Sequence, residues 1–126
     1  MNTGAVIDLK TFVPSKDHAK STEFYKDLGF TLNWDAGHLK EFQVGAFRFL
    51  LQDFYVEDWA NNFMMHLHVE NVETWWTHIQ DTQLAERYAG VRASPPAMQD
   101  YGMRMLFLVD PAGVLWHIAE LPKNQP

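Results

Sequence analysis

Three histidines are the residues of this sequence best suited to chemistry. His66 and His68 are separated by one residue within the run MMHLHV, which has the alternation of a β-strand. Side chains two apart on a strand point to the same face, so both imidazoles should share one side of a sheet. His117 lies in a later extended run, predicted as the other edge strand of this part of the chain, and could approach them. Three imidazoles with an open fourth position resemble a catalytic zinc site, with Asp8 as a candidate further ligand.

A second interpretation of these histidines needs no metal. They would line a polar part of a ligand pocket or satisfy buried hydrogen bonds, and protonation near neutral pH would let them pair with an anionic ligand. Aromatic side chains at strand ends or on the predicted open face are further pocket candidates because planar ligands stack on their rings. These are Trp34, Phe49 and Tyr101. Arg104 could hold a carboxylate or a sulfate, or be a solvated surface side chain.

The composition excludes several other functions. The chain has no cysteine, so disulfides, thiolate ligands and cysteine nucleophiles are all absent. There is no Gly-x-Ser-x-Gly motif and no phosphate-binding glycine loop. The formal net charge of −6 and the scattered basic residues argue against nucleic-acid binding. No run is long and apolar enough for a membrane span, and the N-terminus does not resemble a signal peptide, so a cytoplasmic location is expected.

The first half of the chain has the pattern of a strand, a helix and three further strands. Alternating apolar residues predict a strand over residues 6–13. Asp17 then caps a helix that Gly29 ends. Short extended runs punctuated by turn residues predict the other strands, over residues 31–34, 39–44 and 47–54.

The second half repeats this order of elements after a connector. A strand is predicted over residues 64–69, followed by a helix that Asn71 caps and whose apolar stripe includes Trp75. Three further strands follow, predicted over residues 91–93, 103–109 and 114–121. An Asp-Pro-Ala-Gly turn joins the last two. Trp116 alternates with His117, so it should face the helix layer and lie in the core.

These patterns predict an α+β fold in which residues 1–126 form a single domain. It would contain two βαβββ modules, at about residues 5–57 and 63–121. Each module has one helix to cover one face of its sheet. The other face must be buried against the second module, a partner chain or a ligand, which points to curved mixed sheets around a pocket.

Three segments resemble the glyoxalase/bleomycin-resistance/dioxygenase proteins, the vicinal-oxygen-chelate superfamily. They are FVPSKDHAKSTEFYKDLGF (residues 12–30), HVENVETWWTHI (68–79) and YGMRMLFLVDPAGVLWHI (101–118). The resemblance covers nearly the whole chain in the expected order. It implies paired βαβββ modules, a homodimer, and pockets formed by curved sheets.

The superfamily includes metal enzymes and also metal-free proteins that sequester drugs such as bleomycin. In the enzymes, His and Glu ligands lie on the first and last strand of each module, as the resemblance implies. Here those positions fall near Asp8, within residues 47–52 where there is no carboxylate, on Met64 and on His117. The ligand pattern is therefore mostly broken, and a methionine is a poor ligand for a hard divalent ion.

The leading hypothesis is a metal-independent binding protein of the bleomycin-resistance kind, without a cofactor. It would sequester an aromatic or amphipathic small molecule as a homodimer and confer antibiotic resistance. The alternative is a glyoxalase-like lyase or a dioxygenase, in which His66, His68 and His117 hold Zn, Ni, Mn or Fe as a Lewis acid. A third hypothesis is a structural or regulatory module with a vestigial pocket.

Overall fold

The computed structural model describes residues 4–122, which form two four-stranded sheets with helices packed on them. The fold is α+β, as predicted. The first module has the strand order β1-β4-β3-β2. Its elements are β1 (Phe12–Pro14), α1 (His18–Leu28), β2 (Thr31–Asp35), β3 (Leu39–Val44) and β4 (Phe47–Gln52). No helix among the described residues is long and apolar enough to cross a bilayer.

The second module repeats this topology with the strand order β5-β8-β7-β6. In both modules the first strand pairs in parallel with the last, and the remaining pairs are antiparallel. A short helix, α2 (Glu57–Ala60), connects the modules. The elements that follow are β5 (Met64–Val69), α3 (Val72–Asp81), α4 (Leu84–Arg87), β6 (Arg92–Met98), β7 (Arg104–Val109) and β8 (Leu115–Glu120).

Both long helices begin, and α1 also ends, where the sequence signals place them. The Asp17 carboxylate accepts a hydrogen bond from the Lys20 amide at 3.1 Å, which satisfies an unpaired donor in the first turn of α1. The Asn71 side chain accepts from two amides at the start of α3. Gly29 ends α1 with a φ of 107°, a left-handed conformation that glycine adopts without strain.

The strand predicted over residues 6–13 is wrong except at its C-terminal end. β1 begins only at Phe12 because β4 offers partners to residues 12–14, starting with the Phe12–Leu50 pair. The side chains of the preceding segment are exposed to 84% at Val6, 91% at Ile7 and 90% at Leu9. The alternation of apolar residues thus predicted a longer strand than the one that pairs with β4.

The other differences lie at element ends and in short helices. β6 continues through Pro95 and Pro96 instead of ending at residue 93, because it pairs only with β7 and has a bulge between Ser94 and Ala97. Proline is tolerated on such an edge strand since one side of its backbone needs no partner. β4 ends at Gln52, two residues early, and the helices α2 and α4 were not predicted.

One buried core joins the modules, with Tyr25 of α1 at its centre. The Tyr25 hydroxyl donates a hydrogen bond to Asp110 at 2.5 Å and accepts one from the Trp116 indole at 2.9 Å. The Tyr25 ring also contacts Phe42 and Phe49 of the first sheet. Trp116 is 2% exposed, which confirms its predicted place in the core.

Candidate functional site

The second sheet places the three histidines side by side on its open face. β8 lies next to β5 in the middle of the sheet, so the prediction that His117 lies on the other edge strand was wrong; that strand is β6. In this parallel pair His66 is directly opposite His117. The ring centroids are 4.6 Å apart for His66 and His68, and 5.7 Å apart for His66 and His117. The fold therefore brings together residues that are about fifty positions apart.

The surroundings of His66 and His117 favour their neutral imidazoles. Burial lowers the pKa of His66, and the neighbouring His68 and His117 lower it further. Burial alone lowers the pKa of His117. The Phe107 ring packs edge-on against the His117 ring at 5.1 Å. A neutral imidazole has a nitrogen lone pair that can accept a hydrogen bond or bind a cation.

His117 has an unsatisfied polar atom. Its Nε2 is buried and has no hydrogen-bond partner among residues 4–122. Buried nitrogen atoms are nearly always paired in folded proteins, so this one could share a hydrogen bond with a bound water or ligand. The open face of the second sheet therefore carries a histidine nitrogen that could hydrogen-bond to a bound molecule.

A cavity of about 300 Å³ lies between the modules, where the β3–β4 end of the first sheet meets the β5 edge of the second. This volume is at the lower end of the range for small-molecule sites. Its lining combines aromatic rings with polar groups and aliphatic side chains; it includes Phe47, Arg48, Phe49, His66, His68 and Trp116. The cavity therefore offers the exposed ring of Phe47 as a stacking surface beside two imidazoles.

The predicted site residues divide into those at this cavity and those elsewhere. Phe49 lines the cavity, but at 2% exposure it is mainly a core side chain. Trp34 lies on the first sheet opposite Glu41 and is 40% exposed. Tyr101 lies between β6 and β7, and its hydroxyl is 3.7 Å from the Met105 sulfur. Neither Trp34 nor Tyr101 is among the cavity-lining residues.

Arg104 lies apart from the histidines. It forms an ion pair with Glu73 at the start of α3, on the helix side of β7. The sequence analysis assigned no role to Phe47, which is 75% exposed at the mouth of the cavity. The available signal was a large aromatic residue two positions after the turn residue Gly45. Such a residue lies next to the turn of a β-hairpin.

The open face of the first sheet is occupied by its own ion pairs. Arg48 donates a hydrogen bond to Asp8 at 2.9 Å. The Glu41 carboxylate forms an ion pair with Lys10 and accepts a hydrogen bond from the Asn33 amide. These hydrogen bonds hold the pKa of Asp8 and of Glu41 below their ordinary values, with Arg48 and Lys10 as the main donors. This face therefore presents charges that are already neutralised.

The metal positions implied by the resemblance do not fit a metal here. Asp8 is paired with Arg48, residues 47–52 contribute no carboxylate, and Met64 is 63% exposed with a thioether that a hard ion avoids. Within residues 4–122 no group of three or more His, Asp or Glu side chains is placed so that it could hold a metal ion. Of the positions that the resemblance implies, His117 is therefore the one among the described residues whose side chain suits a metal.

Comparison with protein families gives one match. The model for the Glyoxalase/Bleomycin resistance protein/Dioxygenase superfamily matches residues 9–118, which is most of the chain. Among curated proteins, none matches this sequence.

Solved structures share the whole fold. A bleomycin-binding protein complexed with bleomycin is 22% identical, with a TM-score of 0.78 over 93% of this chain and 100% of its own. The bleomycin resistance determinant encoded on transposon Tn5 is 23% identical, with a TM-score of 0.78 over 91% of this chain and 98% of its own. The lactoylglutathione lyase of Agrobacterium tumefaciens is 15% identical, with a TM-score of 0.65 over 92% and 95%. Binding proteins and enzymes thus both have this fold.

Proposed function

Because the chain belongs to the glyoxalase/bleomycin resistance protein/dioxygenase superfamily, we propose that it is a binding protein that sequesters an aromatic or amphipathic small molecule. Binding would need affinity alone and no resident metal. The observation that carries the proposal is the cavity of about 300 Å³, which places the rings of Phe47, Phe49 and Trp116 beside two histidines. A ligand with a planar ring could stack there while its polar groups reach His66 or His68.

Two further observations support binding over catalysis. The positions that hold the metal in the enzymes of the superfamily carry a paired Asp8 and an exposed Met64. Two of the similar structures are named for bleomycin binding or resistance. A bleomycin-type glycopeptide is therefore the first ligand to test, and antibiotic resistance by sequestration is the corresponding cellular role. The cytoplasmic location stays a prediction from the sequence.

We also propose that the protein acts as a homodimer. Among the described strands, β6 is protected as a sheet edge by Pro95 and Pro96, whereas β5 pairs only with β8 and leaves its outer backbone edge open. Large apolar side chains are exposed near this edge, with Met64 at 63% and Phe47 at 75%. A second copy would cover them and enclose the cavity mouth.

The ligand proposal is tested by titrating the full-length protein with bleomycin and with a panel of planar aromatic compounds, in the presence of EDTA. Calorimetry gives the affinity, and Trp116 at the cavity wall provides a fluorescence signal. We expect Phe47→Ala to weaken binding by about tenfold or more, because a side chain that packs on the ligand is worth roughly 1.5–3 kcal/mol. Phe54→Ala is the matched control, since Phe54 is 50% exposed on the connector and away from the cavity. Absence of binding across the panel would overturn the proposal.

The dimer is tested by measuring molar mass with light scattering at several concentrations. A charge at the proposed interface should separate the protomers, so Met64→Lys should give a monomer. Val56→Lys is the control because Val56 is 47% exposed but lies in the connector between the modules. A wild-type protein that stays monomeric at high concentration would contradict the dimer and leave the ligand proposal standing.

A further inference from the structure

The wall of the cavity carries no acidic side chain, although the chain as a whole is acidic. The sequence has sixteen Asp and Glu residues against ten Lys and Arg residues. Among the described residues that line the cavity there is no Asp or Glu, and the ionisable side chains are those of Arg48, His66 and His68. A ligand in this cavity therefore meets a guanidinium and two imidazoles in the wall, and no carboxylate.

Arg48 restricts the kind of polar group that the ligand can present. A guanidinium only donates hydrogen bonds, whereas a neutral imidazole has one donor and one acceptor and can serve either kind of partner. His66 and His68 therefore adapt to the ligand, and Arg48 demands an acceptor. A carboxylate meets this demand best, because its two oxygens match the planar fork of the guanidinium and the hydrogen bonds are charge-assisted.

The contacts of Arg48 within the protein leave donors for such an acceptor. Nη1 donates to Asp8 at 2.9 Å, and Nε donates to Gln43 at 3.4 Å. Nη2 donates no hydrogen bond to another residue within 4–122. The pair with Asp8 is partly exposed, with 37% of the Arg48 side chain and 28% of the Asp8 side chain open to solvent. Exposed ion pairs contribute little stability, so sharing this guanidinium with a second carboxylate costs little.

We propose that the molecule sequestered in this cavity is a planar aromatic acid. Its ring packs on Phe47, and its carboxylate accepts from Arg48. Phe47 and Arg48 are consecutive on β4 and point to opposite faces, so the ligand reaches across the end of the β3–β4 hairpin, where both residues line the cavity. A volume of about 300 Å³ suits a compact ring system with one acid group. This inference rests on the proposed function and names the chemical class of its ligand.

The test compares three probes that share one ring system and differ in charge: 2-naphthoate, 2-naphthamide and 2-naphthylmethylamine. Each is titrated by calorimetry into the full-length protein at neutral pH, with EDTA present. We expect 2-naphthoate to bind at least about tenfold more tightly than the neutral amide, because hydrogen bonds to charged groups are the stronger ones. The cationic amine should bind most weakly. Added salt should weaken the binding of 2-naphthoate and leave that of the amide unchanged.

Arg48→Gln and Arg104→Gln form a matched pair of variants. Both arginines are paired with one acidic side chain and are similarly exposed, at 37% and 39%, but Arg104 lies on the helix side of the second sheet. Arg48→Gln should abolish the preference for 2-naphthoate over 2-naphthamide, and Arg104→Gln should keep it. Asp8→Asn should strengthen the binding of 2-naphthoate, since it removes the carboxylate that competes for Arg48.

The outcomes separate this inference from the proposed function. Binding of the amide or the amine as tightly as 2-naphthoate would overturn the acidic ligand and leave an aromatic binding cavity standing. An unchanged preference in Arg48→Gln would likewise overturn the inference. Absence of binding by all three probes and by the wider panel would overturn the proposed function as well.

Discussion

The two sheets have the same topology, but the polar groups on their open faces differ in whether they have partners within the protein. On the first sheet, Asp8 is paired with Arg48 at 2.9 Å, and Glu41 is paired with Lys10. On the second sheet, the buried Nε2 of His117 has no partner among residues 4–122. On the first sheet the charged groups neutralise one another. On the second sheet a histidine nitrogen has no partner among the described residues.

This difference shows how two modules with the same βαβββ topology can present different polar groups. In both sheets most side chains facing the helices are apolar and enter the shared core, such as Phe42 and Phe49 in the first and Leu106 and Ile118 in the second. Alternate positions on the same strands are free to change without disturbing that core, because neighbouring residues on a strand point to opposite faces. The difference between the two open faces is therefore carried by every second residue of the strands.

The largest effect is expected at Phe49, which tests where core ends and cavity begins on β4. The ring contacts those of Tyr25, Phe30, Phe42 and Trp116. Phe49→Ala should lower the free energy of unfolding by about 3–5 kcal/mol, because it empties a packed volume. Urea denaturation measures the change.

Phe47→Ala is the matched variant, two residues away on the same strand and 75% exposed. It should cost less than about 1 kcal/mol of unfolding free energy, as expected for a surface side chain. Equal losses in the two variants would mean that the mouth of the cavity is packed as tightly as the core. The distinction between the cavity mouth and the core would then be wrong.

The shared core should respond to pH through Asp110. Burial raises the pKa of this carboxyl to about 6 from an ordinary 3.8, even though Tyr25 and backbone amides donate hydrogen bonds to it. The folded protein therefore binds this proton more tightly than the unfolded chain. The stability contributed by the proton is complete below about pH 4 and is lost as pH rises through about 6. At roughly 1.4 kcal/mol per pKa unit, the loss amounts to about 3 kcal/mol.

The comparison that isolates this group is wild type against Asp110→Asn. Between pH 4.5 and 7.5 the wild type should lose stability relative to the variant, as measured by urea midpoints at each pH. The relative measure matters because Asp8 and Glu41, whose pKa values are lowered, act in the opposite direction. Parallel pH profiles for the two proteins would show that Asp110 does not titrate in this range.

Much of the fold could be predicted because its signals are local. Asp17 and Asn71 cap the helices through bonds to amides two or three residues away, and β5 was predicted over the residues it occupies. The strand over residues 6–13 failed because pairing depends on a partner, and β4 reaches only residues 12–14. Alternation reports the faces of a segment and does not report whether another strand lies beside it.

The candidate site was predicted in part for the same reason. Period-two spacing placed His66 and His68 on one face, but the approach of His117 depends on strand order, which the sequence does not state. Phe47 was missed because its exposure at the cavity mouth arises from how the two sheets meet. Arg104 pairs with Glu73, a residue thirty-one positions away that becomes its neighbour only when α3 packs on β7.

A smaller effect is expected at Arg104, which tests whether the helix side of the second sheet takes part in binding. The ion pair between Arg104 and Glu73 is partly exposed, so Arg104→Ala should change the unfolding free energy by less than about 1 kcal/mol. The variant should bind the aromatic ligand as the wild type does. A tenfold loss of ligand affinity would show that the helix side of β7 takes part in binding.

The smallest effect is a change in one pKa on the open face of the first sheet. Lys10 is the main donor that holds the pKa of Glu41 below its ordinary value, with Asn33 second. Lys10→Met should therefore raise the pKa of Glu41, as followed by carboxyl NMR titration. Lys26→Met is the control because its partner, Glu23, lies on the exposed side of α1. An unchanged Glu41 pKa in Lys10→Met would mean that Lys10 does not neutralise this carboxylate, and the first sheet would then offer an anionic face for a cationic ligand. The first sheet would then differ from the histidine face of the second sheet in its charge, and no longer in whether its polar groups have partners.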